Sequence, residues 1–367
     1  MMKYKNICLT ITNFANKGGE ERMCATLANA LSANGYHVII VSTDKPSSQK
    51  SCFDVSSLIK CYSLKSNRVE RKLSRIPVFN TLWLLKYKMI LKRHNIQVVI
   101  DVDVHNSLIT TKVVSKDKVR IVSWDHFNYE RFLSWPTREL LHDCFINKID
   151  KLVVLTKSDK HDYIEKEGIP SSRVTQIYNP SPIETNTLLE HSQNKILAIG
   201  RFAEQKGFDL LIETWSYVEK KYQDWFLEIV GEGAGKKELE DKINSLGLKN
   251  VIISPFAKNV RQKYADASIY VLSSRYEGLG LVLLEAISMS LPIVSFNCPK
   301  GPEEIIEDGV NGYLVPPLNT KMLADKLMLL MGDVEKRKEM GKNGYLLSKK
   351  FKIENITAQW INLLESI

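Results

Sequence analysis

Glu277 and Glu285 flank a glycine-containing turn in the run Arg275-Tyr-Glu-Gly-Leu-Gly-Leu-Val-Leu-Leu-Glu285. The apolar, β-branched run Ile269-Tyr-Val-Leu-Ser273 before it reads as a buried strand, and Leu281–Met289 after it as a helix. A helix that begins on such a turn aims its first free N–H groups at one point, and its dipole makes that point attractive to phosphate. Gly278, Leu279, Gly280 and Leu281 supply the backbone there. A carboxylate accepts two hydrogen bonds from a vicinal diol. At about 1.5 Å per helical residue, Glu277 and Glu285 stand at most roughly 12 Å apart. That span fits a diphosphate with a polyol at each end, the plan of a nucleotide-sugar.

Other strand ends carry further candidates. Gly200-Arg-Phe-Ala-Glu-Gln-Lys-Gly207 places two cations, Arg201 and Lys206, between glycines. Arginine offers a planar fork and lysine a point charge, and fixed cations beside a departing diphosphate lower its barrier. In Asn16-Lys-Gly-Gly-Glu20, Gly19 lets the backbone approach a phosphate or sugar; a plain strand-to-helix turn is the other reading. Ser123-Trp-Asp-His-Phe-Asn128 brings His126 to a strand end, with Trp124, Phe127 and Tyr129 around it. Alone, His126 reads equally well as a cleft or a core histidine. Gly231 and Phe256 follow two more strands. Asp101-Val-Asp103 has a spacing that can hold a divalent ion on a diphosphate. It lies in the other half of the chain from Arg201, Lys206 and the helix N-terminus after Gly280, which already offer neutralisation, so no metal is expected.

The elements that must position these residues alternate between strand and helix. Ile7–Thr12, Val38–Ser42, Val98–Val102, Val119–Ser123 and Leu152–Leu155 read as strands of a first half, with a helix over Glu20–Ala33. Asn179-Pro-Ser-Pro182 breaks the pattern, which then restarts with strands at Lys195–Gly200, Phe226–Val230, Val251–Ser254, Ile269–Ser273 and Pro292–Phe296. Helices are expected at about 207–221, 235–246, 258–265, 281–289 and 321–331. This is an α/β, doubly wound pattern with parallel strands. Ligands of such sheets sit at the carboxyl ends of the strands.

The chain has 367 residues, enough for two domains, and the composition of an ordinary globular protein. Its net charge of +9 is uneven. Residues 1–100 carry 16 Lys+Arg against 5 Asp+Glu, whereas residues 181–367 carry 23 against 25. Lys65–Arg93 alone holds nine basic residues and one acid, interleaved with Trp83, Leu84, Tyr87 and other apolar residues. That mixture suits an anionic membrane surface. The alternative is a core-packing helix with a solvated basic face, its apolar stripe formed by Val78, Leu82, Leu85 and Met89. Nucleic acid is not expected, since no binding motif accompanies the charge. No apolar run reaches the roughly 18 residues of a membrane span. The six cysteines form no C-x-x-C pair, so neither a disulfide framework nor a zinc site is expected, and a cytoplasmic setting fits.

Together the E-x7-E run with Gly278, Gly280 and Ala286, the G-R-x-x-x-x-K-G run Gly200–Gly207, the glycine-rich Asn16–Glu20 and the strand-end His126 resemble family 4 glycosyltransferases (glycosyl transferases group 1). The resemblance implies the GT-B fold, two Rossmann-like doubly wound domains facing a central cleft. Residues 1–182 would form the acceptor-side domain, 183–350 the nucleotide-sugar domain, and a last helix at about Phe351–Glu365 would pack back on the first. It implies a retaining, metal-independent hexosyltransferase. In it Glu277, His126, Arg201 and Lys206 serve catalysis, and Gly19, Gly231, Phe256, Gly278, Leu279, Gly280, Leu281 and Glu285 bind the donor. No cofactor is implied, the nucleotide-sugar being a substrate. Cys298-Pro-Lys-Gly-Pro-Glu-Glu304 resembles members that use UDP-sugars to build surface polysaccharide, capsule or lipopolysaccharide. The acceptor would be a glycan, lipid-linked, met at the inner face of the cytoplasmic membrane. The alternatives are a UDP-sugar 2-epimerase-like isomerase of the same fold and a non-catalytic sugar-nucleotide-binding subunit.

Overall fold

The computed structural model describes residues 3–43, 53–64, 77–115, 117–256 and 259–367. The chain divides into two compact units, residues 1–179 with 353–367, and residues 180–352. Each is built on one wholly parallel sheet with helical crossovers.

The first unit contains β1 (Asn6–Ile11), β2 (His37–Ser42), β3 (Lys60–Ser63), β4 (Val98–Asp101), β5 (Arg120–Trp124), β6 (Lys151–Val154) and β7 (Val174–Gln176). They stand in the order β3-β2-β1-β4-β5-β6-β7. The second unit contains β8 (Lys195–Ile199), β9 (Phe226–Val230), β10 (Val251–Ser254), β11 (Ile269–Leu272), β12 (Ile293–Phe296) and β13 (Gly312–Val315), in the order β10-β9-β8-β11-β12-β13. Continuous Ile/Val/Leu runs make these strands because both faces of a parallel sheet are covered. β1, β4, β8 and β11 are almost entirely buried. In the second unit Trp215, Phe208, Leu227 and Phe296 join one core cluster.

The edges depart from expectation. β3, β7 and β13 were not anticipated, and all three are edge strands. Their sequences, Lys-Cys-Tyr-Ser, Val-Thr-Gln and Gly-Tyr-Leu-Val, are short, and the first two are polar, as edge strands tolerate. Helix Val334–Ser348 was also missed, because its sequence is charged and carries Gly341 and Gly344. Those glycines let it approach its neighbour. A Cβ on Gly341 would meet the Ser290 carbonyl at 2.2 Å, and one on Gly344 would meet Ile287 at 3.3 Å.

Helix Pro77–Arg93 corrects a second expectation. The stripe Leu82, Leu85 and Met89 does not enter the core; these side chains are 56%, 50% and 65% exposed. The buried face is instead Tyr87, Ile90 and Leu91, spaced i, i+3, i+4. Tyr87 fixes the rotation, since its hydroxyl pairs with Thr10 on β1 at 2.7 Å and with Thr110 at 3.3 Å. The side chain of Val78 and the basic stretch 65–76 lie outside the described residues.

The last helix, Ile353–Ser366, belongs to the first unit. Trp360 is fully buried there, with its ring 4.9 Å from Trp124 at the end of β5. Trp360→Ala is expected to lower the stability of the first unit by about 3–5 kcal/mol through loss of contacts and a cavity. Urea unfolding followed by near-ultraviolet circular dichroism measures this. An unchanged midpoint would mean that the helix is not part of that core.

Candidate functional site

Strand order reverses between β8 and β11, so the loops that leave these two strands lie side by side. The β8 loop is Gly200–Gly207 and the β11 loop Ser273–Gly280, the two runs with the clearest chemistry in the sequence. They are stitched together. Arg275 N–H donates to the Gln205 carbonyl at 2.8 Å, the Gln205 amide to the Tyr276 carbonyl at 3.1 Å, and the Ser273 hydroxyl to the Lys206 carbonyl at 2.9 Å. The Arg275 guanidinium grips Asp209 through two bonds of 2.8 Å and adds a third to the Glu204 carbonyl at 2.8 Å. This bidentate fork is the geometry only arginine supplies. Gly207 sits at φ 60°, and a Cβ there would lie 2.0 Å from the Ser273 carbonyl oxygen. Close contact between the loops therefore requires glycine at 207.

The stitching brings Lys206 Nζ to 2.6 Å from Glu277 Oε1. The same oxygen accepts the Ser274 hydroxyl at 2.6 Å. The pair is shielded, the lysine side chain being 15% and the glutamate 6% exposed. Such a pair survives desolvation only with close geometry and added hydrogen bonds, which Ser274 provides. Gly280, at φ 80°, is the N-cap of helix Leu281–Ser288 and has no side chain with which to cap it. Glu285 lies on that helix, buried, and accepts the Tyr264 hydroxyl at 2.7 Å.

The other second-unit candidates fall in different places. Arg201 is exposed on the β8 loop and forms no ion pair among the described residues. Gly231 is a packing position, because a Cβ there would meet the Gly200 carbonyl oxygen at 1.8 Å. Phe256 follows β10 and is 52% exposed. β10 is two strands from β8, roughly 10 Å at the usual strand spacing.

In the first unit, Gly19 opens helix Gly19–Ala33 directly after β1, and Gly18 precedes it as N-cap. A Cβ on Gly18 would lie 2.4 Å from the Glu21 carboxylate, which is buried. His126 lies two residues past β5 with its ring 4.3 Å from Trp124. Its Nε2 is shielded and has no hydrogen-bond partner among the described residues. Burial drives its pKa down to about 3 against the pull of Asp103, so the ring is neutral. The D-x-D aspartates both have structural partners. Asp101 accepts Thr110 at 2.7 Å and Ser107 at 2.9 Å, and burial raises its pKa to about 7. Asp103 caps helix Val104–Val113 through His105 N–H at 2.9 Å and also meets the His105 ring at 3.0 Å. No group of three metal-ligating side chains occurs among the described residues.

Ser274, Asp209, Tyr264 and Glu21 escaped the sequence reading. Asp209 and Arg275 had a usable signal: opposite charges, one at the start of the helix after β8 and one just past β11, on strands that a doubly wound sheet makes neighbours. Ser274 and Tyr264 had none, because their role depends on where the two glutamates turn.

Breaking the Lys206–Glu277 pair strands a buried charge. Lys206→Met is expected to cost about 3 kcal/mol or more, while Lys206→Met with Glu277→Gln costs less than the sum of the single changes. Thermal unfolding of the four proteins tests this, and additivity would deny the coupling. His126 is expected to stay neutral from pH 5 to 8 in a nitrogen-edited NMR titration. Its folded pKa lies below the ordinary 6.5, so its stabilising contribution is present above pH 6.5 and fades as the pH falls towards 3. An ordinary midpoint near 6.5 would refute its shielding.

The model of the family Glycosyl transferases group 1 matches residues 182–347, and that of Glycosyltransferase Family 4 matches residues 17–184. An uncharacterized glycosyltransferase of Haemophilus influenzae is 30% identical over 362 residues, covering 98% of this chain and 100% of the relative. The amylovoran biosynthesis glycosyltransferase AmsD of Erwinia amylovora is 29% identical over 370 residues, covering 98% and 99%. Among solved structures, TarM of S. aureus superposes with a TM-score of 0.81 at 18% identity, covering 98% and 99%. The lipopolysaccharide outer core galactosyltransferase WaaB does so at 0.77 with 21% identity, again covering 98% and 99%. Two parallel Rossmann-like sheets, these full-length likenesses and the two family matches lead to one conclusion: the chain belongs to the family 4 glycosyltransferases, the glycosyl transferases group 1, and has their GT-B fold.

Proposed function

We propose that this glycosyltransferase is a retaining enzyme that moves a hexose or N-acetylhexosamine from a UDP-sugar to a lipid-linked glycan in surface-polysaccharide biosynthesis. The observation that carries the donor site is the shielded Lys206–Glu277 pair beside the glycine-capped start of helix Leu281–Ser288. A diphosphate arriving there adds negative charge to a site where Lys206 is already matched by Glu277. Exposed Arg201 and the amides at Gly280–Leu281 supply the balance. Glu277 accepts hydrogen bonds from sugar hydroxyls and Glu285 from the ribose. With neutralisation assigned to these groups, and Asp101 and Asp103 engaged elsewhere, the reading needs no metal. The family likeness assigns neutral His126 a part in catalysis.

In the step we assign, the acceptor hydroxyl oxygen bonds to the anomeric carbon on the face the diphosphate leaves. The bond from that carbon to the phosphate oxygen breaks, and a diphosphate oxygen takes the acceptor's proton. The support is by likeness. A Campylobacter jejuni relative, 28% identical over 372 residues, is an alpha-1,4-N-acetyl-D-galactosaminyltransferase acting on a diphosphoundecaprenol-linked glycan. A Staphylococcus aureus relative, 31% identical over 227 residues, is a poly(ribitol-phosphate) alpha-N-acetylglucosaminyltransferase. No helix among the described residues is long and apolar enough to cross a membrane. On the reading of a lipid-linked acceptor, we place the enzyme peripherally on the cytoplasmic face.

A screen of UDP- and GDP-sugars by nucleotide release, with a panel of lipid-linked glycans, tests this. Acceptor-dependent UDP release is expected, with the anomeric configuration preserved by NMR and turnover lowered at least about a hundredfold by Lys206→Ala, as for loss of a transition-state contact to the leaving group. Inverted product would overturn retention. Conversion of a UDP-sugar without acceptor would mark an isomerase instead.

A further inference from the structure

We infer that the exposed face of helix Pro77–Arg93 docks this protein on an anionic phospholipid bilayer, with Leu82, Leu85 and Met89 entering its interfacial layer. The three side chains are 56%, 50% and 65% exposed, in a helix whose opposite face, Tyr87, Ile90 and Leu91, is core. At roughly 100° per residue they fall within about 60° of one another, a narrow stripe rather than scattered exposure. Exposed Lys88 and Lys92 border the stripe on one side and exposed Arg93 on the other. No acidic residue lies between 81 and 93, and residues 1–100 carry 16 basic against 5 acidic residues. An apolar stripe bordered by long cationic side chains matches the two layers of a bilayer interface: acyl chains below, anionic headgroups beside.

The chemistry of the face disfavours the other occupants. Single-stranded nucleic acid needs aromatic platforms for its bases. Here the exposed stripe is aliphatic, Trp83 is half-buried and Tyr87 is buried. A second copy seated face to face would set Lys88, Lys92 and Arg93 against their own equivalents, and like charges brought together repel.

The purpose of this surface rests on the reading of a lipid-linked acceptor, but its chemistry does not, so binding and transfer are measured separately. Purified full-length protein is sedimented with vesicles of phosphatidylcholine alone or mixed with phosphatidylglycerol, at low and high salt. Binding is expected only to the mixed vesicles and is expected to weaken at high salt. The triple changes Leu82→Ser/Leu85→Ser/Met89→Ser and Lys88→Glu/Lys92→Glu/Arg93→Glu are each expected to reduce partitioning about tenfold or more. Melting temperature and transfer to a water-soluble acceptor should stay unchanged, while transfer to acceptor embedded in vesicles falls. Equal binding to neutral vesicles, full binding by either triple variant, or no binding by the wild type would overturn the assignment. A concentration-dependent dimer abolished by the serine variant would reassign the face to self-association. Vesicle binding without transfer to any acceptor would sink the proposed function and leave the docking surface standing.

Discussion

One shielded ion pair, Lys206 with Glu277, organises the second unit's candidate site. Bringing an ammonium and a carboxylate together out of water is costly unless their geometry is fixed. The fixing is visible at every level. Strand order puts the β8 and β11 loops in contact, glycine at 207 lets their backbones meet, and the Arg275–Asp209 fork keeps them from separating. Ser274 then donates to the very oxygen that Lys206 approaches. No one of these contacts is unusual. Their convergence on Glu277 Oε1 gives the loop pair a single arrangement, which pre-organised charge stabilisation requires.

The same demand explains the support behind helix Leu281–Ser288. Its N-terminus can act as a fixed partial charge only if the helix does not move. Helix Val334–Ser348 lies against it through Gly341 and Gly344, whose missing side chains allow backbone-close packing. The Ser181 and Ser288 hydroxyls pair at 2.8 Å on another side, and Tyr264 ties down Glu285. Helical glycines cost conformational entropy relative to alanine. Here that cost accompanies the close packing of the helix proposed to face the diphosphate.

Much of this was legible in the sequence because central strands and catalytic-type loops are locally encoded. Buried parallel strands such as Ile196–Ile199 or Val98–Ile100 show as unbroken apolar runs, and the glycines around Glu277 and Lys206 announce turns. What was not legible depends on partners distant in the chain. β3, β7 and β13 bury too little to impose a pattern. Helix Val334–Ser348 looked polar and glycine-broken until its neighbour was known. The stripe Leu82–Met89 had a helical period but no sign of which face met the sheet; Tyr87, paired to Thr10 from across the unit, made that choice. Asp101-Val-Asp103 illustrates the converse. Its spacing was legible, yet the hydroxyls of Ser107 and Thr110 and the amide of His105 claim the carboxylates for the fold.

Charge is divided between two tasks in a way that follows from screening. Residues 181–367 are close to neutral, with 23 basic and 25 acidic residues, so the proposed donor site in the second unit relies on local arrangement and not on a broad field. A contact between Lys206 and a ligand in a shielded site is little affected by salt, whereas charges on an open surface are screened within about 10 Å. The excess of the first hundred residues is of the second kind: Lys88, Lys92 and Arg93 are exposed, and a bilayer is an extended anion that many weak, screened contacts can address together. A small dianionic donor gains from a few charges and amides fixed close to it; a surface gains from many mobile cations.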